Sequence, residues 1–335
     1  MRDQIKIILT LLVALSVSSL YAQDYHLTMY ESAPQLVNPS ETGLFKDPNT
    51  AWRATANYRS QWFSTNSKGF NSAHISFDKK EKQWGYGGYI NNNRAMGGGF
   101  NTLNIILSGS YDVISKQSAD HTLRVGIQMG LLNKVFRADE FTFDSQYDPS
   151  LGFDQSVSNG ESFSKTSLFK FDAAIGVMYK MMATHTQIQP YGGFALYHIT
   201  RPNESLFDDR EPIPLRYTVH GGARIDVTSD ISVTPRVLFM YQGRAIEVNT
   251  NVLGTYKLNE EWTIRGGGGY RWSDAAIFFL GVENGGNVYT ISYDQNISPL
   301  KVATRGLGAM EIGVQINGLQ KRSTGGKFGM PSIFN

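Results

Sequence analysis

The chain has 335 residues, no cysteine, and 31 basic against 29 acidic side chains, so its formal net charge is +2 at pH 7. The absence of cysteine excludes disulfides, cysteine-ligated zinc and thiol catalysis, and the near-neutral charge does not indicate a nucleic-acid-binding surface. A mean hydropathy of −0.27 is too polar for a bundle of membrane-spanning helices, but with 17 Tyr, 19 Phe and 34 Gly it suits a barrel in which alternate strand residues face lipid.

The first 22 residues have the organisation of a secretory signal peptide. Arg2 and Lys6 form a basic start, residues 7–20 are largely apolar, and Ala22 is the small residue before a cleavage site. The apolar stretch is too short for a spanning helix. An uncleaved anchor is the alternative, and the lack of a following cysteine excludes a lipid-anchored form.

Residues 23–50 contain three prolines and no clean hydrophobic period, so we predict an irregular N-terminal segment. This segment is expected either to plug a lumen or to lie at its mouth. At the other end of the chain, residues 319–335 form a polar tail that is expected to be mobile or to contact a periplasmic partner.

Between residues 51 and 318 the hydrophobic pattern has a period of two, which is typical of strands with one apolar and one polar face. About 14 such segments are present, each near the ~9–11 residues that cross a membrane, and an even count is typical of bacterial barrels. The predicted strands are 51–63, 69–79, 82–92, 99–114, 120–134, 167–181, 186–200, 215–228, 230–242, 246–258, 261–272, 274–284, 286–296 and 306–318.

The connections between these segments provide a second, independent signal. The long connections follow the fifth, seventh and thirteenth predicted strands, so they all lie at one rim, and short links such as residues 228–230 lie at the other. Outer-membrane barrels have short periplasmic turns and longer outer loops. Since backbone groups must be paired in hydrocarbon, the strands are expected to close. We therefore predict an all-β, transmembrane antiparallel barrel over residues 51–318 in a bacterial outer membrane.

Several charged and aromatic residues fall near the outer rim in this topology. They are Arg59, Gln61, Trp62, His198, Arg201, Arg271, Asp274, Tyr293 and Asp294. Mixed Arg and Asp side chains at one level favour charge-assisted hydrogen bonds. Two interpretations remain open, namely a network that braces the loops and a docking surface for a partner.

No motif for enzyme chemistry stands out in the chain. The six histidines are not at short ligand spacing, and the run Gly266–Gly269 continues into a strand, whereas a phosphate-binding loop would continue into a helix. No Ser–His–Asp order or paired-carboxylate motif is evident. We predict no catalytic residue, no metal and no cofactor.

The predicted loop over residues 135–166 is rich in both carboxylates and aromatic rings. A solvated outer loop is the simplest interpretation, since the carboxylate spacing matches no EF-hand. The aromatic residues indicate that the loop packs either across the mouth of the barrel or onto a partner.

Short motifs in chain order resemble those of the PorP/SprF family of type IX secretion system outer-membrane proteins. They cover residues 38 to 316, and only the start, Asp24-Tyr25-His26-Leu27, departs from the family's usual pattern. The matching runs are Asn38-Pro39 with Gly43, Arg59-Ser60-Gln61-Trp62, His198-Ile199-Thr200-Arg201-Pro202-Asn203, Gly269-Tyr270-Arg271 with Asp274-Ala275, Tyr293-Asp294 with Asn296 and Ser298, and Glu311.

This resemblance implies a fatty-acid-transporter-like barrel with a non-enzymatic role in exporting cargo proteins such as adhesins, or in retaining them at the surface. The implied partners are membrane lipid, type IX secretion components, a cargo protein with a C-terminal sorting domain and, for some members, a peptidoglycan-binding lipoprotein. Two alternatives are an outer-membrane transporter or porin for small hydrophobic solutes and an outer-membrane hydrolase, which would need a Ser nucleophile with an inward-facing base.

Overall fold

The structure is a computed structural model of the chain. It describes residues 24–319 apart from 65–68, 115–119, 149, 151, 155, 159, 161–164, 184 and 208. The predicted signal peptide and nearly all of the predicted tail therefore lie outside the described residues. None of the helices in the described ranges is long and apolar enough to cross a membrane.

Fourteen antiparallel strands form a closed ring in which each strand pairs with its neighbours in the chain and the first strand pairs with the last. The strands are β1 Thr50–Gln61, β2 Phe70–Glu81, β3 Trp84–Ala95, β4 Phe100–Asp112, β5 His121–Phe136, β6 Ser167–Met181, β7 Ile188–Tyr197, β8 Arg216–Asp226, β9 Ile231–Gln242, β10 Ala245–Lys257, β11 Trp262–Arg271, β12 Ala275–Asn284, β13 Asn287–Asn296 and β14 Leu307–Leu319. Each predicted segment overlaps one observed strand, and the predicted antiparallel barrel is confirmed.

The remaining elements are short. Within the described residues there are two α-helical turns, α1 Pro34–Val37 and α2 Lys301–Thr304, and two strands of two residues, Tyr147–Asp148 and Gly152–Phe153, pair with each other. The 3₁₀ turns are Tyr30–Ser32, Pro39–Glu41, Met96–Gly98, Ala138–Glu140 and Asp144–Gln146.

The distribution of polar and apolar side chains is inverted relative to a water-soluble protein. Leu107 and Leu280 on the outer face are 69% and 66% exposed, whereas Arg124 and His74 on the inner face are 0% exposed. Because successive strand residues point to opposite faces, the period of two places the apolar set outward and the polar set inward. This arrangement suits a barrel with lipid outside and a polar lumen inside.

Exposed aromatic residues form two belts near the ends of the strands, as expected at the two membrane interfaces. One belt contains Tyr58, Tyr217, Tyr241, Tyr270 and Trp272, and the other contains Trp52, Trp84, Tyr86, Tyr256, Trp262 and Tyr289.

The two rims of the barrel differ in the length of their connections. The long loops 137–166, 198–215 and 297–306 all lie at one end, which we call the loop rim. The opposite end, the turn rim, carries tight links such as 82–83 and 285–286. This asymmetry follows the prediction, and it assigns the loop rim to the cell exterior and the turn rim to the periplasm.

Residues 24–49, which we call the N-terminal segment, run through the lumen. Asp24 contacts residues at the loop rim, and β1 begins at Thr50 at the turn rim. Between these ends the segment bonds to inward side chains or to backbone carbonyls on many sides of the ring. Examples are the bonds from Thr28 to Glu311 in β14, from Asn38 to Val177 in β6 and between Thr42 and Ser108 in β4. Only a segment inside the ring can reach all of these strands.

Candidate functional site in the barrel lumen

Four strands contribute buried charges to one cluster near the loop rim, which we call the arginine network. The Nη2 atoms of Arg59 and Arg271 lie 2.8 Å and 2.5 Å from the same Oδ2 of Asp294, and Arg271 Nε donates to Asp274 at 2.6 Å. Glu311 completes the cluster, 3.6 Å from Arg59. Both arginines and Asp294 are at most 2% exposed, so the attraction between these charges is poorly screened by water.

The N-terminal segment is bonded directly into this network. The backbone amides of Thr28 and Met29 donate to the two carboxylate oxygens of Glu311, at 2.7 Å and 3.2 Å. The Thr28 hydroxyl donates to Asp294 at 2.8 Å and also contacts Arg59. A single turn of the segment therefore joins β1, β13 and β14 through charge-assisted hydrogen bonds, which are stronger than neutral ones.

A second cluster, which we call the Asp24 latch, holds the start of the segment. Asp24 Oδ2 lies 2.7 Å from His198 Nε2 and 2.7 Å from Arg216 Nη1, and the Asp24 amide donates to Gln242 at 2.9 Å. The other ring nitrogen of His198, Nδ1, lies 2.7 Å from Asp172. Both ring nitrogens thus face carboxylates, an arrangement in which both nitrogens donate and the imidazolium is favoured.

The electrostatics of the latch follow from this geometry. Burial disfavours the imidazolium, but Asp24 and Asp172 outweigh that effect and raise the pKa of His198 from 6.5 to about 9. Burial likewise disfavours the Asp24 carboxylate, yet His198 and Arg216 hold the pKa of Asp24 well below its usual range. At neutral pH the latch is therefore fully charged.

The end of the segment nearest β1 is fixed near the turn rim. Arg53 donates to both carboxylate oxygens of Asp78, at 3.0 Å and 2.7 Å, and the Gly43 amide donates to the same carboxylate at 2.6 Å. The Thr42 and Ser108 hydroxyls are 2.5 Å apart. These contacts position the chain for its entry into β1.

The middle of the segment is seated by Asn38. Its Nδ2 donates to the carbonyls of Val177 and Phe194, at 3.0 Å and 3.3 Å, and lies 3.1 Å from His220 Nε2. The side chain therefore bonds to backbone groups of β6 and β7, and the Asn38-Pro39 motif noted in the sequence is a contact between segment and wall.

Two glycines of the wall face this motif at close range. A Cβ atom at Gly126 would lie 2.4 Å from the Pro39 carbonyl carbon, and one at Gly176 would lie 2.0 Å from Asn38 Oδ1. Real Cβ atoms essentially never come so close, so these glycines allow the segment to approach the strands.

The residues expected at the outer rim divide into three groups. Arg59, Arg271, Asp274 and Asp294 meet in the arginine network, and His198 belongs to the Asp24 latch. The other four occupy different positions. Gln61 ends β1, Trp62 packs edge-on against Phe70 with ring centroids 5.0 Å apart, Arg201 is exposed in the loop after β7, and Tyr293 points away from the lumen and donates to Gln295.

Sequence reasoning did not assign Asp24, Thr28 or Arg216 to the site. Asp24 and Thr28 belong to a segment without a hydrophobic period, so no pattern indicated where their side chains point. Arg216 is the first residue of β8, and its position at the loop rim was the signal that could have identified it.

The chemistry of the lumen is that of paired charges. Across the part of the chain that the structure describes, no group of three or more His, Asp or Glu side chains is placed to hold a metal ion. The four-glycine run lies inside β11, as a continuing strand predicts. The ion pairs join different strands and the segment, an arrangement suited to positioning these elements.

The chain has distant similarities to solved structures. Similar solved structures include the Ralstonia pickettii toluene transporter TbuX, with 10% identity over 85% of this chain and 92% of that chain and a TM-score of 0.47. The Pseudomonas putida toluene transporter TodX has 9% identity over 89% and 98%, with a TM-score of 0.45. A Pseudomonas aeruginosa FadL homologue has 10% identity over 84% and 92%, with a TM-score of 0.44.

A comparison with curated proteins finds no match. By contrast, the family model described as type IX secretion system membrane protein PorP/SprF matches residues 19–316, which is most of the chain. Together with the closed barrel and its lipid-facing surface, this match shows that the chain is a bacterial outer-membrane protein that belongs to the PorP/SprF family of type IX secretion system membrane proteins.

Proposed function

We propose that this protein is a non-enzymatic outer-membrane component that supports the export or surface attachment of cargo proteins such as adhesins. The observation that carries this proposal is the bonding of the N-terminal segment across the lumen, from Asp24 at the loop rim to Gly43 near the turn rim. A barrel whose lumen is filled in this way is suited to present its two rims to protein partners.

The loop rim offers a surface for such partners. Apolar side chains are exposed there, including Tyr147 at 62%, Phe207 at 46% and Val302 at 84%. Contiguous apolar patches exposed outside the membrane are typical of protein-binding surfaces. We infer that a cargo protein with a C-terminal sorting domain docks on this rim. Other type IX components and a peptidoglycan-binding lipoprotein would contact the turn rim.

The arginine network supports this role by bracing the loops. Asp274, which pairs with Arg271, also accepts backbone hydrogen bonds from Ile297 and Ser298 in the loop 297–306, at 2.9 Å and 3.1 Å. The network thereby fixes two connections of the loop rim relative to each other. We infer that its primary role is to brace the loops and that docking uses the surface above it.

Deletion of the gene tests the proposal. Proteins with C-terminal sorting domains are quantified at the cell surface by protease shaving and mass spectrometry, in the deletion strain and after complementation. We expect loss of at least one such protein from the surface and its recovery with the wild-type gene. Normal surface levels of all these proteins in the deletion strain would refute the proposal.

A matched pair of variants locates the docking surface. Replacing Phe207 and Val302 by Ser removes exposed apolar groups from the loop rim, and Leu258→Ser removes one that is 53% exposed at the turn rim. We expect only the loop-rim variant to reduce surface cargo, with both barrels assembled to the same level.

The alternative role as a transporter or porin for small hydrophobic solutes makes a different prediction. It requires an open route, so the purified barrel would carry solutes into liposomes at a rate above that of empty liposomes. The bonds of the segment to β4, β6 and β14 favour the secretion role over this alternative.

A further inference from the structure

We propose that the N-terminal segment is a displaceable plug and that the Asp24 latch couples its release to movement of the loop 198–215. In this view the lumen is closed when Asp24 is held by His198 and Arg216. It opens when the loop carries His198 away. The proposal concerns the state of the lumen and does not depend on which cargo the barrel serves.

The first observation is that the seated segment covers polar groups without satisfying them. His74 and Asn91, which are paired in register on β2 and β3, are both 0% exposed. Among the described residues, both ring nitrogens of His74 lack a hydrogen-bond partner, and so does Oδ1 of Asn57, the register neighbour of His74 on β1. Burying such groups unpaired opposes the seated state, and withdrawal of the segment would return them to water.

The segment itself also carries a buried polar atom of this kind. Oε1 of Gln35 has no hydrogen-bond partner among the described residues. The segment therefore does not form a uniformly satisfied interface with the wall. It is held at discrete points, among them the Asp24 latch, the pair of His26 and Glu247, Thr28 in the arginine network, Asn38, and Gly43 near the turn rim.

The second observation is the asymmetry between the two ends of the segment. Residue 49 is covalently continuous with β1, so the end near the turn rim stays in place. Predicted cleavage after Ala22 would make Asp24 the second residue of the mature chain, and that end can then withdraw without threading through the ring. Loss of the latch is accordingly the first step of release, because it frees the tip of the segment ahead of the wall contacts of His26, Thr28 and Glu31.

The third observation links the latch to a surface loop. His198 directly follows β7 and is the first residue of the loop 198–215. It adopts a left-handed backbone conformation with φ 59°, and so does Arg201 with φ 45°, whose amide donates to the His198 carbonyl at 2.9 Å. Non-glycine residues in this region are strained, and such strain is concentrated at binding and switch sites. A partner that reshapes this loop would move the ring that holds Asp24.

The test uses the absence of cysteine from the chain. Asn91→Cys places a single thiol beneath the seated segment, and a water-soluble maleimide measures its accessibility in barrels reconstituted into liposomes. Asp24→Asn is expected to raise the labelling rate roughly ten- to hundredfold, because a neutral amide weakens the charge-assisted hydrogen bonds from His198 and Arg216. Asp47→Asn is the matched control, because Asp47 lies in the same segment, is exposed, and caps only Asn49.

Folding of each variant is checked by heat-modifiable migration in gel electrophoresis. If Asp24→Asn does not assemble, His198→Gln is measured in the same way, since it removes the ring but leaves the Asp24–Arg216 pair. Labelling of a folded latch variant at the rate of the control overturns the proposal.

A disulfide lock provides a second readout. The Ser32 hydroxyl contacts the Asn57 amide on β1, so Ser32→Cys with Asn57→Cys is placed to pin the segment to the wall. In the Asp24→Asn background, the oxidised pair is expected to show low ion conductance in planar bilayers, and reduction is expected to raise it. Conductance that does not change on reduction contradicts a plug that moves.

Discussion

Asp294 shows how single residues determine the electrostatics of the lumen. It is 1% exposed and accepts from two arginines on different strands and from Thr28 of the N-terminal segment. Removing one partner of a buried ion pair is more damaging than losing a surface pair, because the remaining charge is left without compensation.

Asp294→Asn is expected to lower the free energy of unfolding by about 3–5 kcal/mol, because Arg59 and Arg271 lose their shared carboxylate. Urea titration of the barrel in lipid vesicles, followed by tryptophan fluorescence, measures this change. The matched control is Asp154→Asn in an exposed loop, where Asp154 caps only Ser156, and a change within about 0.5 kcal/mol is expected there. Equal effects of the two substitutions would contradict the assigned role of Asp294.

The Asp24 latch makes stability depend on pH. The pKa of His198 is raised from 6.5 to about 9 in the folded barrel, so the folded state binds the proton more tightly than the unfolded chain. The resulting stabilisation, on the order of 3 kcal/mol, is fully present below pH 6.5 and is lost as the pH rises through about 9.

This dependence is measured by urea unfolding at about pH 6 and about pH 10, on either side of the two pKa values. The wild-type barrel is expected to lose stability over this range, whereas His198→Gln lacks a titrating ring and is expected to lose less. A loss of the same size in both proteins would show that other groups cause it.

At the scale of elements, the N-terminal segment and the strands that seat it form one unit. The segment has only isolated turns of helix, such as α1, and it is held by side chains and by carbonyls of the wall. Gly126 on β5 and Gly176 on β6 leave room for Asn38 and Pro39. The shape of the segment is therefore set by the wall around it.

Gly126→Ala tests this fit. The added methyl group would lie 2.4 Å from the backbone of Pro39, so the segment must shift. We expect a loss of about 1–3 kcal/mol in the free energy of unfolding, as for other overpacked cores, together with faster cleavage of the segment by a protease in liposomes. Gly109→Ala is the control, because a Cβ there meets nothing within 4 Å. Unchanged protease resistance in Gly126→Ala would contradict the close fit.

At the scale of the whole molecule, the barrel is stabilised by lipid on one side and by paired charges on the other. The ring closes on itself, because the first strand pairs with the last, and closure is the condition for strands to cross hydrocarbon. The apolar outer face and the two aromatic belts then set the position of the ring in the membrane.

Ile127→Arg places a charge on this outer face, near the middle of β5, where Ile127 is 54% exposed. We expect a loss of about 2–4 kcal/mol in vesicle unfolding experiments, the range for Arg at the bilayer midplane. Val157→Arg in the loop 137–166 introduces the same charge outside the hydrocarbon and is expected to have little effect. Equal free energies of unfolding for the two variants would mean that β5 lies outside the membrane.

The sequence by itself determined the fourteen strands, their pairing and the orientation of the rims. Strand pleating is a local property, so the alternation from Leu123 to Leu131 shows which face of the strand is apolar without reference to a neighbouring strand. The lengths of the connections show which strand ends share a rim. The same reasoning predicted that four residues lie at one level of the barrel, namely Arg59, Arg271, Asp274 and Asp294.

Only the tertiary structure decided the course of residues 24–49. Thr28 bonds to Glu311 across 283 positions of the chain, and Asp24 bonds to Arg216 across 192. Contacts of this kind exist only once the ring has closed, because closure creates the lumen and turns distant strands toward one another. An aperiodic segment has no local pattern that encodes those partners, so its path is a property of the assembled barrel.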